Sequence, residues 1–283
     1  MKSSATAAVS SAAAVLVSLA TAGGASAASA AVAPSATTAK PAHLTLHAMP
    51  VGTVRFSRLS HSRLGLQVTI HGLTPGSSHF VDLMLLSGQR VTRFSTLTAN
   101  SGGSAFETLT SGYTGLVPHG SQVIIRMGTT VTNSAVLPIA ETGRLGGVWR
   151  TEKLRSVEVG WNGVHWGTPQ GHATVSYNAR RKTLTVVVSA SGITPGPHAA
   201  HIHVGSCENQ GAVKYMLGDL SANKNGRVVH AVRVFKHVTS PIPARGWYLN
   251  IHQGNTGDIQ DGSGKPTIYF RPLLCANIKG SRG

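Results

Sequence analysis

The chain has 283 residues, 25 Lys and Arg against 9 Asp and Glu, a formal net charge of +16, and only two cysteines. That balance favours anionic partners: a nucleic acid, an anionic envelope or a small anionic substrate. The basic residues are scattered, however, with no helix-turn-helix, zinc-finger or base-stacking pattern, which argues against nucleic acid; the lack of any CxxC spacing argues against a cysteine zinc site.

The first segment is a targeting signal. Lys2 provides a positive start, Ala12 to Leu19 an apolar centre, and Ala25-Ser26-Ala27 a small-residue cleavage pattern repeated at Ala28-Ser29-Ala30. This predicts a secretory signal peptide over residues 1–30. Its apolar run is shorter than the roughly 20 residues a membrane helix needs, and no later segment is apolar enough, so no transmembrane segment is expected. Residues 31–42, rich in Ala, Pro, Ser and Thr, read as a flexible leader. Export makes one Cys207–Cys275 disulfide the default state of the two cysteines. A secreted, extracellular protein of this charge is also drawn to anionic cell-envelope polymers, and cell-wall association is a natural expectation.

After the leader, helix signals are almost absent. Short runs of β-branched and alternating residues recur between Gly, Pro, Asn and Ser: Leu66 to Ile70, Gln122 to Arg126, Leu184 to Val188, Arg227 to Val232 and Tyr248 to Ile251. Arg180-Arg181-Lys182 falls between two such runs and is expected at a solvated hairpin tip. Regularly spaced short strands predict an all-β sandwich or barrel.

The chain also repeats itself. Gly72-Leu-Thr-Pro-Gly76 returns as Gly192-Ile-Thr-Pro-Gly196, Leu97-Thr-Ala-Asn100 as Leu220-Ser-Ala-Asn223, and Val123 to Gly128 as Leu249 to Gly254. Order is kept and the offset drifts only from 120 to 126 residues. Such self-similarity predicts two related β domains, over residues 43–143 and 144–283. The first copy has Val81, Leu83 and Arg126 where the second has His201, His203 and His252, and reads as a degenerate copy. The alignment sets Asp82 against Ile202, a mismatch that a one-residue slip removes, because a slip of one swaps faces.

Those three histidines carry the chemistry. Alternation along a strand sends His201 and His203 from one face. Ala200, Ile202 and Val204 form the apolar face with Trp247, Leu249 and Ile251; Tyr248, Asn250 and His252 join the histidines on the other. The three imidazoles are then expected on the outer surface of the barrel, meeting solvent beneath covering loops, as an all-nitrogen site suited to copper or zinc. His198 is a candidate fourth ligand from the turn, and His230 a weaker one. His43, His47, His61, His71, His119, His165 and His237 show no partner pattern and read as surface residues.

Residues 192–207 (Gly-Ile-Thr-Pro-Gly-Pro-His-Ala-Ala-His-Ile-His-Val-Gly-Ser-Cys), then Gly211 and Gly246-Trp-Tyr-Leu-Asn-Ile-His252, resemble the chordin-type (CHRD) domain, particularly its secreted bacterial forms. The order of the His-x-His pair, Gly-Ser-Cys207, the single His252 and Cys275-Ala-Asn-Ile278 is also similar to the copper/zinc superoxide dismutases. The resemblance spans residues 168–279. It implies a Greek-key β-barrel, copper ligation by His201, His203 and His252, and a Cys207–Cys275 disulfide tying a loop to the last strand.

The departures bear on activity. The dismutases place a metal-bridging His shortly after the first cysteine, where this chain runs Glu208 to Leu217 with none, leaving Gln210 or Tyr215 for that space. The zinc ligands are missing too, and Asp219 alone cannot make a zinc site, so no zinc is expected. The family's guiding arginine stands three residues before the last cysteine, whereas Arg271 stands four before it and is only a weak catalytic candidate. Asp258 and Asp261 are candidate acceptors behind the histidines. The leading expectation is therefore a secreted metal-binding protein holding copper through three histidines. A copper-only superoxide dismutase and a non-catalytic cell-envelope interaction module are the alternatives.

Overall fold

The structure, a computed structural model, describes residues 40–85, 87–115, 117–118, 121–127, 134–138, 152–154, 158–159 and 165–280. The expected signal peptide, nearly all of the leader, and the expected boundary at residues 143 and 144 lie outside the described residues. The fold is all-β as expected, with short 3-10 turns and no α-helix among the described residues. Nor, among them, is any helix long and apolar enough to cross a membrane.

One antiparallel sheet of eight strands dominates. From one edge to the other it runs β16 (Gln210–Ala222), β15 (Gly196–Gly205), β18 (Trp247–His252), β19 (Pro272–Ile278), β1 (Ala42–Ala48), β13 (Gln170–Asn178), β14 (Thr183–Ser191) and β17 (Arg227–Phe235). Strict alternation gives it one face that packs on a core. In β14, Leu184, Val186, Val188 and Ala190 point inward, while Thr183, Thr185, Val187 and Ser189 are only half-buried. Val175, Leu184, Val186, Val188, Ala200, Ile202, Leu249, Ile251, Ala276 and Ile278 fill the interior. The sheet nearly closes into a barrel: Arg233 on β17 reaches across the seam and donates to the carbonyls of Leu217 (2.6 Å) and Asp219 (2.8 Å) on β16.

Two smaller sheets are built from strands that lie between residues 51 and 154. One runs β10 (Glu152–Leu154), β2 (Val51–Arg58), β3 (Leu64–His71) and β7 (Ser104–Thr110). The other runs β5 (Arg90–Arg93), β4 (Ser78–Leu85), β8 (Ser121–Arg126) and β9 (Ser134–Pro138), with β6 (Leu97–Thr98) beside β4. Their inner faces share a second core, including Phe56, Leu66, Ile70, Val81, Leu83, Leu97, Val123 and Ile125. A short ribbon of β11 (Glu158–Val159) and β12 (His165–Gly167) completes the described strands.

The repeated motifs fold alike. Gly72 follows β3 with φ +81° and Gly192 follows β14 with φ +73°, a left-handed backbone that glycine adopts without strain. The side-chain oxygens of Asn100 and Asn223 each accept two backbone amides in the turns that lead into β7 and β17. Strand β1 comes from the start of the 43–143 stretch, yet it lies between β19 and β13, paired with both. Ala42, Leu44 and Leu46 face the barrel core, and His43, Thr45 and His47 face outward.

Candidate metal centre

Strands β15 and β18 place the histidines. Their register pairs Ala200 with Ile251, His201 with Asn250, Ile202 with Leu249 and His203 with Tyr248. Ala200, Ile202, Leu249 and Ile251 enter the barrel core, so His201, His203, Tyr248, Asn250 and His252 share the opposite face. That sidedness is the one expected. The exposure is not: His201 and His203 are 3% exposed and His252 is fully buried. The cause is a double cover. The 206–211 loop folds over His203, and the 3-10 turn Ile268–Phe270 lays Phe270 4.7 Å from the His252 ring. Val204, expected on the core face, is instead 47% exposed, one residue before β15 ends.

The three imidazoles converge, each offering one nitrogen within 4.8 Å of the others. Backbone carbonyls select which nitrogen. Nδ1 of His203 donates to the Gly211 carbonyl at 2.9 Å, and Nδ1 of His252 donates to the Phe270 carbonyl at 2.5 Å. A carbonyl only accepts, so each Nδ1 carries the proton and each Nε2 keeps its lone pair. Nδ1 of His201 lies 3.3 Å from Nε2 of His252. Nε2 of His201 and Nε2 of His203 are buried with no hydrogen-bond partner, as are both amide atoms of Asn250, across the strand pair from His201. Buried polar atoms without partners are uncommon in native proteins and call for a physical account, a bound ion among them.

Burial also sets protonation. Desolvation lowers His201 to about 4, assisted by His203 and opposed by Asp219. It lowers His252 to about 3 against the opposing Phe270 hydrogen bond, and lowers His203 against the Gly211 bond. All three are therefore neutral, the form that binds metal. Tyr248 shields the site: its ring stacks on His203, its hydroxyl accepts from the Gly211 amide at 3.3 Å, and burial raises its phenol.

The remaining candidates fall elsewhere. His198 is buried, but its nitrogens face the carbonyls of His252 (3.0 Å) and Thr194 (2.8 Å), tying backbone rather than joining the three. His230 is exposed on β17. Arg271 is buried and lines a small cavity with Pro50, Leu73, Thr74, His79, Ile125, Met127 and Ile268, while its carbonyl accepts from Gln253 just beyond His252. Asp258 accepts from the Asn255 side chain, and Asp261 caps the Ser263–Lys265 turn. The groups behind His203 and His252 are backbone carbonyls, not these carboxylates. Asp219 instead caps the next loop, accepting from the amide and hydroxyl of Thr256. Gln210 donates to the Leu73 carbonyl at 2.8 Å, and Tyr215 packs against Phe235 and Trp247. The cysteines form the expected disulfide, which packs with Met49 against Tyr248.

Residues 156–258 match the CHRD domain family. The CHRD segment carries His201, His203, Cys207, Tyr248 and His252; Cys275, strand β19 and strand β1 lie outside it. No curated protein matches the chain. Alternation along β18 puts Tyr248 and Asn250 on the histidine face without giving them a role. The carbonyls of Gly211 and Phe270 were beyond its reach, because a backbone acceptor leaves no residue-type signal.

Proposed function

We propose that this protein is a secreted copper-binding protein whose CHRD segment holds one ion through His201, Nε2 of His203 and Nε2 of His252. The observation that carries the reading is three neutral, buried imidazoles converging from two paired strands, two of them with buried nitrogens that have no partner. Imidazole suits copper, which heads the affinity order of the divalent first-row metals. Structural zinc sites are almost always four-coordinate, and the candidate fourth ligand, His198, is engaged by two carbonyls. The disulfide agrees with an oxidising, extracellular compartment. The net charge of +16 favours accumulation at an anionic cell envelope.

The dismutase-like barrel and its descent as the second of two related β domains, 43–143 and 144–283, belong to the same reading. The matching strand orders and the matching Asn100 and Asn223 turns support the pairing. Ligands so deeply covered favour holding an ion over rapid exchange with a diffusing substrate, so the binding function stands ahead of superoxide disproportionation.

The test is titration of metal-free, disulfide-intact protein with Cu(I) and with Cu(II), beside the triple variant His201→Ala, His203→Ala, His252→Ala. Tight one-to-one binding that the variant loses is the expected result. Equal uptake by both proteins would overturn the site.

A further inference from the structure

The loop that covers His203 is held from outside the barrel. Residues 206–211 leave β15 after Gly205 and return into β16. Three contacts anchor them to the turn that leads into β7 and to Leu73, just beyond β3. The hydroxyl of Ser104 donates to the Glu208 carbonyl at 2.5 Å. The amide of Gln210 donates to the Gly102 carbonyl at 2.9 Å, and its side-chain amide donates to the Leu73 carbonyl at 2.8 Å. His71 completes the chain, with Nδ1 2.9 Å from the Ser104 hydroxyl. Because that hydroxyl spends its proton on Glu208, His71 is the donor in this pair.

The approach is too close for side chains on the turn. A Cβ on Gly102 would stand 2.2 Å from Oδ1 of Asn209, and one on Gly103 2.3 Å from Nε2 of Gln210. Gly103 also has φ +75°, which an L side chain tolerates poorly. On the barrel side, the amide of Cys207 donates to Oδ1 of Asn277 at 2.8 Å and the disulfide fixes the loop to β19. Gly211, directly after Gln210, then presents its carbonyl to His203 and its amide to Tyr248.

We propose that the Gly102–Ser104 turn, acting through Gln210 and the Glu208 carbonyl, is a positioning element for the metal centre. It would hold the Gly211 carbonyl where it fixes the tautomer and ring plane of His203. Groups behind a ligating histidine set its orientation and basicity, and losing them typically lowers metal affinity about 10–100-fold. This gives the β2–β10 part of the chain, which carries none of the three histidines, a role in the site. Ser104 and Gln210 touch no imidazole of the cluster and act only through the loop. The inference rests on the copper reading for its purpose, but not for its geometry.

The test uses the full chain with Ser104→Ala and Gln210→Ala combined. Arg58→Ala is the control; it removes side-chain bonds to Ser62, Thr114 and Gly115, away from the loop. The first readout needs no metal: the solvent-exchange rate of the His203 Nδ1 proton, measured by NMR on metal-free protein. In the double variant it should rise at least about tenfold, as local opening of the loop becomes easier, and stay unchanged in Arg58→Ala. The second readout is copper affinity, expected to fall about tenfold or more with a changed Cu(II) electron paramagnetic resonance spectrum. A wild-type exchange rate in the double variant, or an equal rise in the control, would overturn the positioning role. If the wild-type chain bound no copper, the metal reading would fall, and the proton exchange would still decide the clamp.

Discussion

The ring of Tyr248 lies against that of His203, with centroids 4.9 Å apart and planes 13° from parallel. Its hydroxyl accepts from the same Gly211 whose carbonyl holds the imidazole. One aromatic thus braces a ligand by contact and the ligand's backbone partner by hydrogen bonding. Tyr248→Phe keeps the stack and loses only the weaker bond, so a stability loss of about 1 kcal/mol is expected. Tyr248→Ala empties a fully buried site and should cost about 3–5 kcal/mol. Urea denaturation of the metal-free variants separates the two.

Acid should act on this site in two ways. His201 and His252 titrate near 4 and 3 in the folded chain, while unfolded histidine titrates near 6.5. The unfolded chain therefore takes up protons first, and the stability these residues contribute is full above about pH 6.5. It falls progressively as the pH drops towards 4 and 3. His79, also lowered to about 4 by burial, adds to the same trend. Melting temperature against pH should decline across that window, and His201→Gln should flatten the decline.

Copper retention should follow the folded values instead. Exposed histidine sites release metal as imidazole protonates near 6.5, since ligand and proton compete. Here the ring nitrogens stay unprotonated well below that, so copper should remain bound at pH 5. Release centred near pH 6.5 in equilibrium dialysis would contradict the burial of the three rings.

The disulfide spans 68 residues of sequence. Replacing both cysteines by serine restores the closed loop's entropy to the unfolded chain, a loss of about 4 kcal/mol in the entropy model. The variant should also bind copper more weakly, because Cys207 anchors the 206–211 loop. Denaturation and titration of the oxidised and variant proteins test both effects.

Asp82 holds the place in the β4–β8 pair that His201 holds in the β15–β18 pair. Val81 pairs with Ile125 and Leu83 with Val123, as Ala200 pairs with Ile251 and Ile202 with Leu249. Arg126 follows Ile125 as His252 follows Ile251, and it forms an ion pair with Asp82, which Arg93 also engages at 2.7 Å. Asp82 is fully buried. Asp82→Ala strands the Arg126 guanidinium and should destabilise the chain by about 3–5 kcal/mol, whereas Asp82→Leu with Arg126→Leu should recover much of that loss. Thermal denaturation of the two variants makes the comparison.

Much of this was legible in the residues. The alternation in Leu184 to Val188 and Tyr248 to Ile251 fixes strands and faces, because a period of two admits few other structures. The one-residue slip between the repeats, needed to keep Asp82 off the core-facing position of Ile202, is the register the strands adopt. Burial of the histidines was not legible. It depends on a loop and a 3-10 turn arriving from elsewhere, and Phe270 lies 18 positions beyond His252. The anchoring of Gln210 was equally hidden, since its partners are the carbonyls of Leu73 and Gly102, more than 100 positions away.

Strand β1 carries a consequence for the order of assembly. It is the earliest of the described strands to leave the ribosome, and it pairs with β19, the last. His47 lies opposite Cys275, more than 220 positions on. The barrel is therefore finished only when the first and last described strands meet, a closure of very high contact order that slows folding. Until that meeting, β13 and β19 keep open edges, ready templates for pairing with other chains. A chain cut before β19, or a fragment begun after β1, would be left with such an edge throughout its life.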